Sequence, residues 1–192
     1  MDCIDLIEAD HNRGRGLFKR FKSAKESENT EDMKLLATTI VEELTVHMAV
    51  EEEIFYPAIS GKTEDIEDTV YEGFEEHHVG KVLVDELSQM EAGSKEWATK
   101  VGVLIEVTEH HMEEEESDML PKVRNATSAE VREKLGLRMY ERAVELGAPP
   151  LEPAMALKKS ELDEMAKEQE IPGRSKLDKE HLAATVDRRT VA

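Results

Sequence analysis

One phrase is written twice in this chain. His47-Met-Ala-Val-Glu51 is followed six residues later by Pro57, and His111-Met-Glu-Glu-Glu115 is followed six residues later by Pro121. Each copy places a His and a Glu one helical turn apart, on the same face. A lone His precedes each phrase: His11 lies 36 residues before His47, and His77 lies 34 before His111. Two sets of two histidines and one carboxylate are the inventory of a two-metal site. To use them together the chain must fold so that four helix faces converge.

The apolar residues recur with helical period, and strand-like runs of aromatic and β-branched residues are missing. A first helix is predicted over about 2–25, with Ile4, Ile7, His11 and Phe18 on one stripe. The Ser27–Thr30 stretch closes it, with Thr30 placed to cap the next helix. A second helix over about 31–56 aligns Ile40, Leu44, His47, Glu51, Ile54 and Phe55 before Pro57 stops or kinks it. A third runs from the Ser60-Gly61-Lys62 turn to about Glu91, and a fourth spans about 95–120. Four helices joined by short loops predict an all-α fold, an up-down-up-down four-helix bundle with additional C-terminal helices, and bundle metal ligands come from inward positions.

Periodicity chooses between neighbouring histidines. His77 shares a stripe with Val70, Phe74, Val84 and Leu87, whereas His78 shares one with Lys81, Asp85 and Gln89. Aligning the two phrases on their prolines sets His111 against His47, with Leu104 and Val107 on its stripe, so His110 faces outward. His181 is read as solvent-facing too. A single His-x3-Glu in an acidic helix is ordinary surface. Two matched copies are not, because burying four imidazoles and two carboxylates without metal or hydrogen bonds would cost several kcal/mol. Without metal, the imidazoles are expected to protonate below about pH 6.5.

Composition narrows the function. Of 192 residues, 39% are hydrophobic and 36% charged, enough for one sizeable core and a small appendage. The single Cys3 excludes an internal disulfide and a Cys-rich zinc or iron–sulfur site. A formal net charge of -19 argues against nucleic acid as the main partner and suits a cation binder. No apolar run approaches the ~20 residues of a membrane span and no leader is evident, which predicts a cytoplasmic protein without a membrane partner. Imidazole mixed with carboxylate suits iron, manganese or zinc, and open positions favour iron with a small diatomic or peroxide ligand.

On Asp10-His11, HMAVEEEIFYP, Glu76-His77 and HMEEEESDMLP, the chain resembles the hemerythrin-like, or HHE cation-binding, proteins over about residues 2–123. That resemblance implies the four-helix bundle known for the family. It further implies His11, His47, Glu51, His77, His111 and Glu115 as ligands of two iron ions in an oxo- or hydroxo-bridged di-iron centre, with Glu51 and Glu115 as bridges. The oxygen carriers of the family have a further histidine one turn after the third-helix His, and that position here is Lys81. Tyr56 is a candidate additional ligand. The altered set resembles bacterial members linked to peroxide breakdown, nitric oxide chemistry, or iron and oxygen sensing. The expected ligands are therefore oxygen, hydrogen peroxide and nitric oxide. Peroxide or nitric oxide consumption is the leading activity, and non-catalytic oxygen or iron binding or sensing is the alternative. Acid/base help would come from Lys81, Glu52 or Glu116.

Three units are expected: residues 1–125 as the di-iron bundle, 126–157 as an additional helix and linker, and 158–192 as a small tail. The tail reads as helix, extended turn and helix, with Ile171, Gly173 and Leu177 at the turn. It is similar to the module at the N-terminus of the Rho transcription terminator and to SAP-type domains, families that often bind nucleic acid. Eight basic and eight acidic residues over 158–192 leave this copy no net attraction for phosphate, which favours a docking role.

Overall fold

The computed structural model describes residues 1–187; residues 188–192, the end of the expected tail module, lie outside the described residues. Its four long helices are α1 (Cys3–Glu26), α2 (Thr30–Val50), α4 (Glu64–Ser88) and α5 (Lys95–Glu114). Short polar side chains start them: Asp2 caps α1 in a capping box with Asp5, Asn29 caps α2, Thr63 caps α4 and Ser94 caps α5. The cap of α2 is thus Asn29 and not Thr30, because the Asn29 side chain accepts from Asp32 N. The third helix also ends earlier than expected, at Ser88, and Gly93 at φ 89° turns the chain into α5.

Neither proline ends its helix. A π-turn over Glu51–Phe55 leads into α3 (Tyr56–Ile59), and a second over Glu115–Met119 leads into α6 (Leu120–Ala126). A proline has no N–H to donate and its ring crowds the carbonyl four residues back. A wide turn closed by Tyr56 N to Glu51 O, or Leu120 N to Glu115 O, relieves both problems just before Pro57 and Pro121. The repeated phrase therefore encodes a repeated backbone distortion, and each distortion begins at the phrase's Glu.

In the bundle α1 packs on α2 and α5, and α4 on α5 and α2. Its interior has three layers. One apolar cluster runs from Leu17, Phe18 and Phe21 to Ile40, Leu44, Trp97, Leu104 and Met112. A second holds Ile4, Ile7, Phe55, Tyr56, Ile66, Val70 and Leu120. Between them on every long helix sits a polar layer, since His11, His47, His77 and His111 fall between residues of the two clusters. Phe74 departs from its expected inward position. It is 38% exposed, and Gly73 takes the inward place instead.

Further helices pack outside this bundle. The amphipathic α7 (Ala129–Glu145) lies against α1 and α2, anchored by Arg132 to Asp2 and Arg142 to Glu53. A Cβ on Gly136 would stand 2.8 Å from the backbone of Asp2 and Cys3, so only glycine admits this approach. Gly136→Val should accordingly cost about 1–3 kcal/mol, the usual range for overpacking. An unchanged urea midpoint would contradict that contact. Helices α8 (Glu152–Ala156), α9 (Lys159–Glu168) and α10 (Lys179–Thr185) enclose their own apolar cluster of Ala154, Leu162, Ala166, Ile171, Leu182, Ala183 and Val186. At the intervening turn Ile171 is buried, Gly173 adopts φ 69°, and Leu177 packs on the cluster. No helix among the described residues is long and apolar enough to cross a membrane.

Candidate metal centre

All six residues that sequence spacing selects meet in the polar layer, each 8% exposed or less. The four histidines turn Nε2 inward. His47 and His77 Nε2 each lie 3.3 Å from Glu51 Oε2, and His11 and His111 Nε2 lie 3.3 and 3.6 Å from Glu115 Oε2. Glu51 Oε2 also reaches within 3.9 Å of His111, so both glutamates touch histidines of both halves. The histidines chosen against do not join them: His78 is exposed, and His110 is 64% exposed and pairs with Glu114. His181, expected in solvent, is partly covered and pairs with Asp178.

The outer nitrogens form a ring of carboxylate partners, each from the neighbouring element. Asp10 on α1 faces His47 Nδ1 on α2 at 4.0 Å, and Glu52 after α2 meets His77 Nδ1 on α4 at 3.1 Å. Glu76 on α4 meets His111 Nδ1 on α5 at 2.7 Å, and Glu116 after α5 meets His11 Nδ1 on α1 at 2.8 Å. When Nδ1–H donates to a carboxylate, the Nε2 lone pair is left to point at the centre. Four lone pairs and two carboxylates then converge in a space cut off from water. His77 and His111 Nε2 stand only 3.1 Å apart.

Such a concentration of acceptors requires positive charge. Among the described residues, His11 Nε2, His47 Nε2, both oxygens of Glu51 and Glu115 Oε2 are buried without a hydrogen-bond partner. Two sets have ligand atoms all within 4.8 Å of one another: His47, Glu51, His77 and His111, and His11, His47, Glu51 and Glu115. The donor set and the orphaned atoms fit a pair of cations. Protons substitute in the metal-free protein. Burial opposes a charged His11, but the Glu115 carboxylate 3.3 Å from Nε2 and the Glu116 carboxylate on Nδ1 overcome it and lift its pKa to about 9. Glu51 is held well below the usual carboxylate range: burial opposes this, and the neighbouring His47, His111 and His77 prevail. The expectation that these imidazoles protonate near pH 6.5 is therefore corrected upward for His11.

Tyr56 joins the centre from the side of His77. Its hydroxyl donates to Glu115 Oε1 at 3.1 Å and lies 3.4 Å from His77 Nε2, with no exposure to solvent. Gly73 makes room for it, since a Cβ there would stand 2.7 Å from the Tyr56 oxygen. Burial, then Glu51 and Glu115, raises the phenol pKa well above its ordinary value, which keeps the proton on.

The residues expected to give acid/base help lie outside this cluster. Lys81 is 48% exposed and binds both oxygens of Glu52. Arg15 does the same to Glu116, at 2.8 and 2.9 Å. Glu52 and Glu116 are thus each held between a histidine and a cation. For Glu116, burial would raise the pKa, but His11 and Arg15 outweigh it and bring it down to about 2. Arg15 follows His11 by four residues as Lys81 follows His77, and Asp10 and Glu76 each precede those histidines directly. That second repeat is a readable signal for Arg15, Asp10 and Glu76.

Comparison with solved structures gives a match to the hemerythrin HHE cation-binding domain protein of Mycobacterium kansasii, a homolog of Rv2633c. Its TM-score is 0.65 at 19% identity, covering 97% of this chain and 99% of that one, a likeness of fold. The uncharacterized protein Rv2633c of Mycobacterium tuberculosis is 29% identical over 160 residues, 79% of this chain and 91% of that protein. A DNA nickase of Nostoc sp. (strain PCC 7120) is 25% identical over 139 residues, 70% of this chain. The match spans only 37% of the nickase's own length. Residues 2–123 match the family model described as the hemerythrin HHE cation binding domain. With that match over more than half its length, and a buried His/Glu cluster able to bind metal at the heart of the matched bundle, the chain belongs to the hemerythrin HHE cation-binding family.

Proposed function

We propose that this protein holds two iron ions between its paired His-x3-Glu phrases and consumes peroxide or nitric oxide there. The observation that carries this reading is the convergence of four Nε2 atoms and two glutamates that reach both halves. His11 and His47 would hold one ion, His77 and His111 the other, with Glu51 and Glu115 shared. When bound, iron would supply open positions for a small ligand and a reversible change of oxidation state. Residues 1–125 form the proposed metal-holding unit, 126–157 the joining helix and linker, and 158–192 the tail.

The chain's own groups do the rest. Glu116, Glu52 and Glu76 keep a proton on Nδ1 of His11, His77 and His111, fixing ring orientation and directing each Nε2 lone pair inward, while Asp10 faces His47 from 4.0 Å. Arg15, with His11, holds Glu116 ionised, and Lys81 pairs with Glu52, so both cations act through their glutamates. Tyr56 keeps a proton at Glu115 Oε1, which makes it the proton source nearest the His77 side. The two apolar layers exclude bulk water above and below the centre. DNA nicking, the activity in the name of the Nostoc relative, is not proposed here: the net charge is -19 and the tail has no basic excess.

The test is to titrate the reduced, iron-loaded protein with oxygen and, separately, with hydrogen peroxide and nitric oxide. Consumption of peroxide or nitric oxide without a reversible oxygen-dependent spectrum is expected. An oxygen-dependent spectrum that reverses on deoxygenation, with neither reagent consumed, would favour the non-catalytic oxygen binder. Tyr56→Phe should slow consumption by ~10²-fold or more, the ordinary contribution of a positioned proton donor. An unchanged rate in Tyr56→Phe would remove it from the chemistry.

A further inference from the structure

The outer ring has one weak member. Three of its Nδ1–carboxylate distances are 2.7–3.1 Å, whereas His47 and Asp10 stand 4.0 Å apart. The placing of Asp10 therefore depends on what else holds it. Its Oδ1 accepts from Arg13 Nη2 at 2.6 Å, leaving Oδ2 toward His47. Arg13 is itself buried, and its other nitrogens donate to Glu43 Oε2 at 2.8 Å and to the backbone carbonyl of Ala184 at 2.8 Å. Ala184 belongs to α10, the last described helix of the tail. An unbroken series of contacts thus runs from a backbone carbonyl in the tail through one guanidinium and one carboxylate to a candidate metal ligand.

Two further observations place the tail firmly at this point. The tail's backbone meets α1 at Gly16, where a Cβ would stand 2.7 Å from Gln169 O and 2.9 Å from Ile171 Cδ1. In addition, Asp10, Arg13, His47 and Ala184 line a single cleft of about 490 Å³ with Met139 and Tyr140 of α7. The outer edge of His47 and the tail therefore share one wall. Neither Arg13 nor Gly16 belongs to the repeated phrases.

We propose that Arg13 is a positioning residue that couples docking of the C-terminal helices to the geometry of His47 at the metal centre. With α10 docked, the guanidinium is shared among Ala184 O, Glu43 and Asp10, and Asp10 is oriented to His47. If α10 leaves, Arg13 loses the Ala184 carbonyl, its guanidinium shifts toward the carboxylates of Glu43 and Asp10, and the Asp10 carboxylate moves with it relative to His47. Coupling is reciprocal: whatever docking does for metal binding, metal binding does for docking. The tail would in this way report whether the centre is loaded. The inference rests on the two-metal reading above.

Hydrogen exchange on the full chain, with and without iron, tests it. Iron content is measured first, because a protein that binds no metal would defeat the two-metal reading and not the coupling itself. In the wild type, amides of residues 182–186 should exchange at least about fivefold more slowly in the loaded form, the lower end of typical allosteric coupling. Arg13→Lys keeps the charge but cannot span three acceptors, and should abolish that difference while retaining helical content. Gly16→Val lifts the tail without touching Arg13, and should shift the visible spectrum of the loaded protein. Lys19→Ala, which removes only the exposed Lys19–Glu170 pair, should not. Equal exchange at 182–186 with and without bound iron in the wild type would overturn the proposal. So would a fully retained difference in Arg13→Lys.

Discussion

His111→Ala should cost the protein at least half of its bound iron, while His110→Ala should leave the content unchanged. His111 is buried, held by Glu76 at 2.7 Å on one nitrogen and turned toward Glu115 and Glu51 on the other. His110, one position earlier, is 64% exposed and pairs with Glu114 at the surface. The same contrast applies to His47→Ala and His78→Ala. Loss of an outer partner should be milder: Glu76→Gln is expected to weaken metal affinity by about 10–100-fold without removing the site. Elemental analysis after desalting checks all of these. Equal losses in His110→Ala and His111→Ala would mean that the two phrases are aligned wrongly.

Chelation should lower the melting temperature without unfolding the bundle, because the two apolar layers remain. A ligand at ~1,000 times its dissociation constant contributes about 4 kcal/mol. At ~2–4 °C per kcal/mol for a chain of this size, the gap is on the order of 10 °C. Its pH dependence has a definite sign. In the metal-free protein the His11 pKa is raised from 6.5 to about 9. That stabilisation is present in full below pH 6.5 and is lost as pH rises through about 9. Metal must displace these protons, so its binding strengthens over the same range. The gap between loaded and metal-free protein should therefore widen from pH 6.5 to 9. Thermal melts of both forms across that range provide the check, and a gap that narrows would contradict proton–metal competition.

The centre was legible because its residues obey two simple periods. His47, Glu51, His111 and Glu115 repeat as a phrase, and the stripe through Val70 and Leu87 separates His77 from His78. Local reasoning failed where a neighbour decided the outcome. Phe74 matches the inward stripe of α4, yet Tyr56 fills that space through Gly73 and leaves Phe74 at the rim. Pro57 could stop or kink its helix by local rules, and it is the π-turn, repeated before Pro121, that lets the chain continue past both. Lys81 stands one turn after His77, where the resembled oxygen carriers have a histidine, and its spacing alone does not say what it touches. Which carboxylate a long cation meets is a tertiary matter, and it meets Glu52.

The outer ring was half-written in the sequence. Acids beside the candidate ligands are visible at Asp10, Glu52, Glu76 and Glu116, but adjacency suggests that each serves its own helix. In the bundle each serves the next one, because a side chain one position from an inward residue points toward the adjoining helix. The tail's attachment was not legible at all. A buried arginine bonded to a backbone carbonyl 171 residues away leaves no periodic trace.

Elemental analysis of iron-loaded protein, combined with X-ray absorption, tests most directly whether one centre holds two metals. Two irons per chain separated by about 3.5–4 Å, the spacing usual in two-metal sites, are expected. Both should be lost when His47 and His111 are replaced together. One iron per chain, or two irons that survive that double replacement, would contradict a di-iron centre built from the repeated phrases.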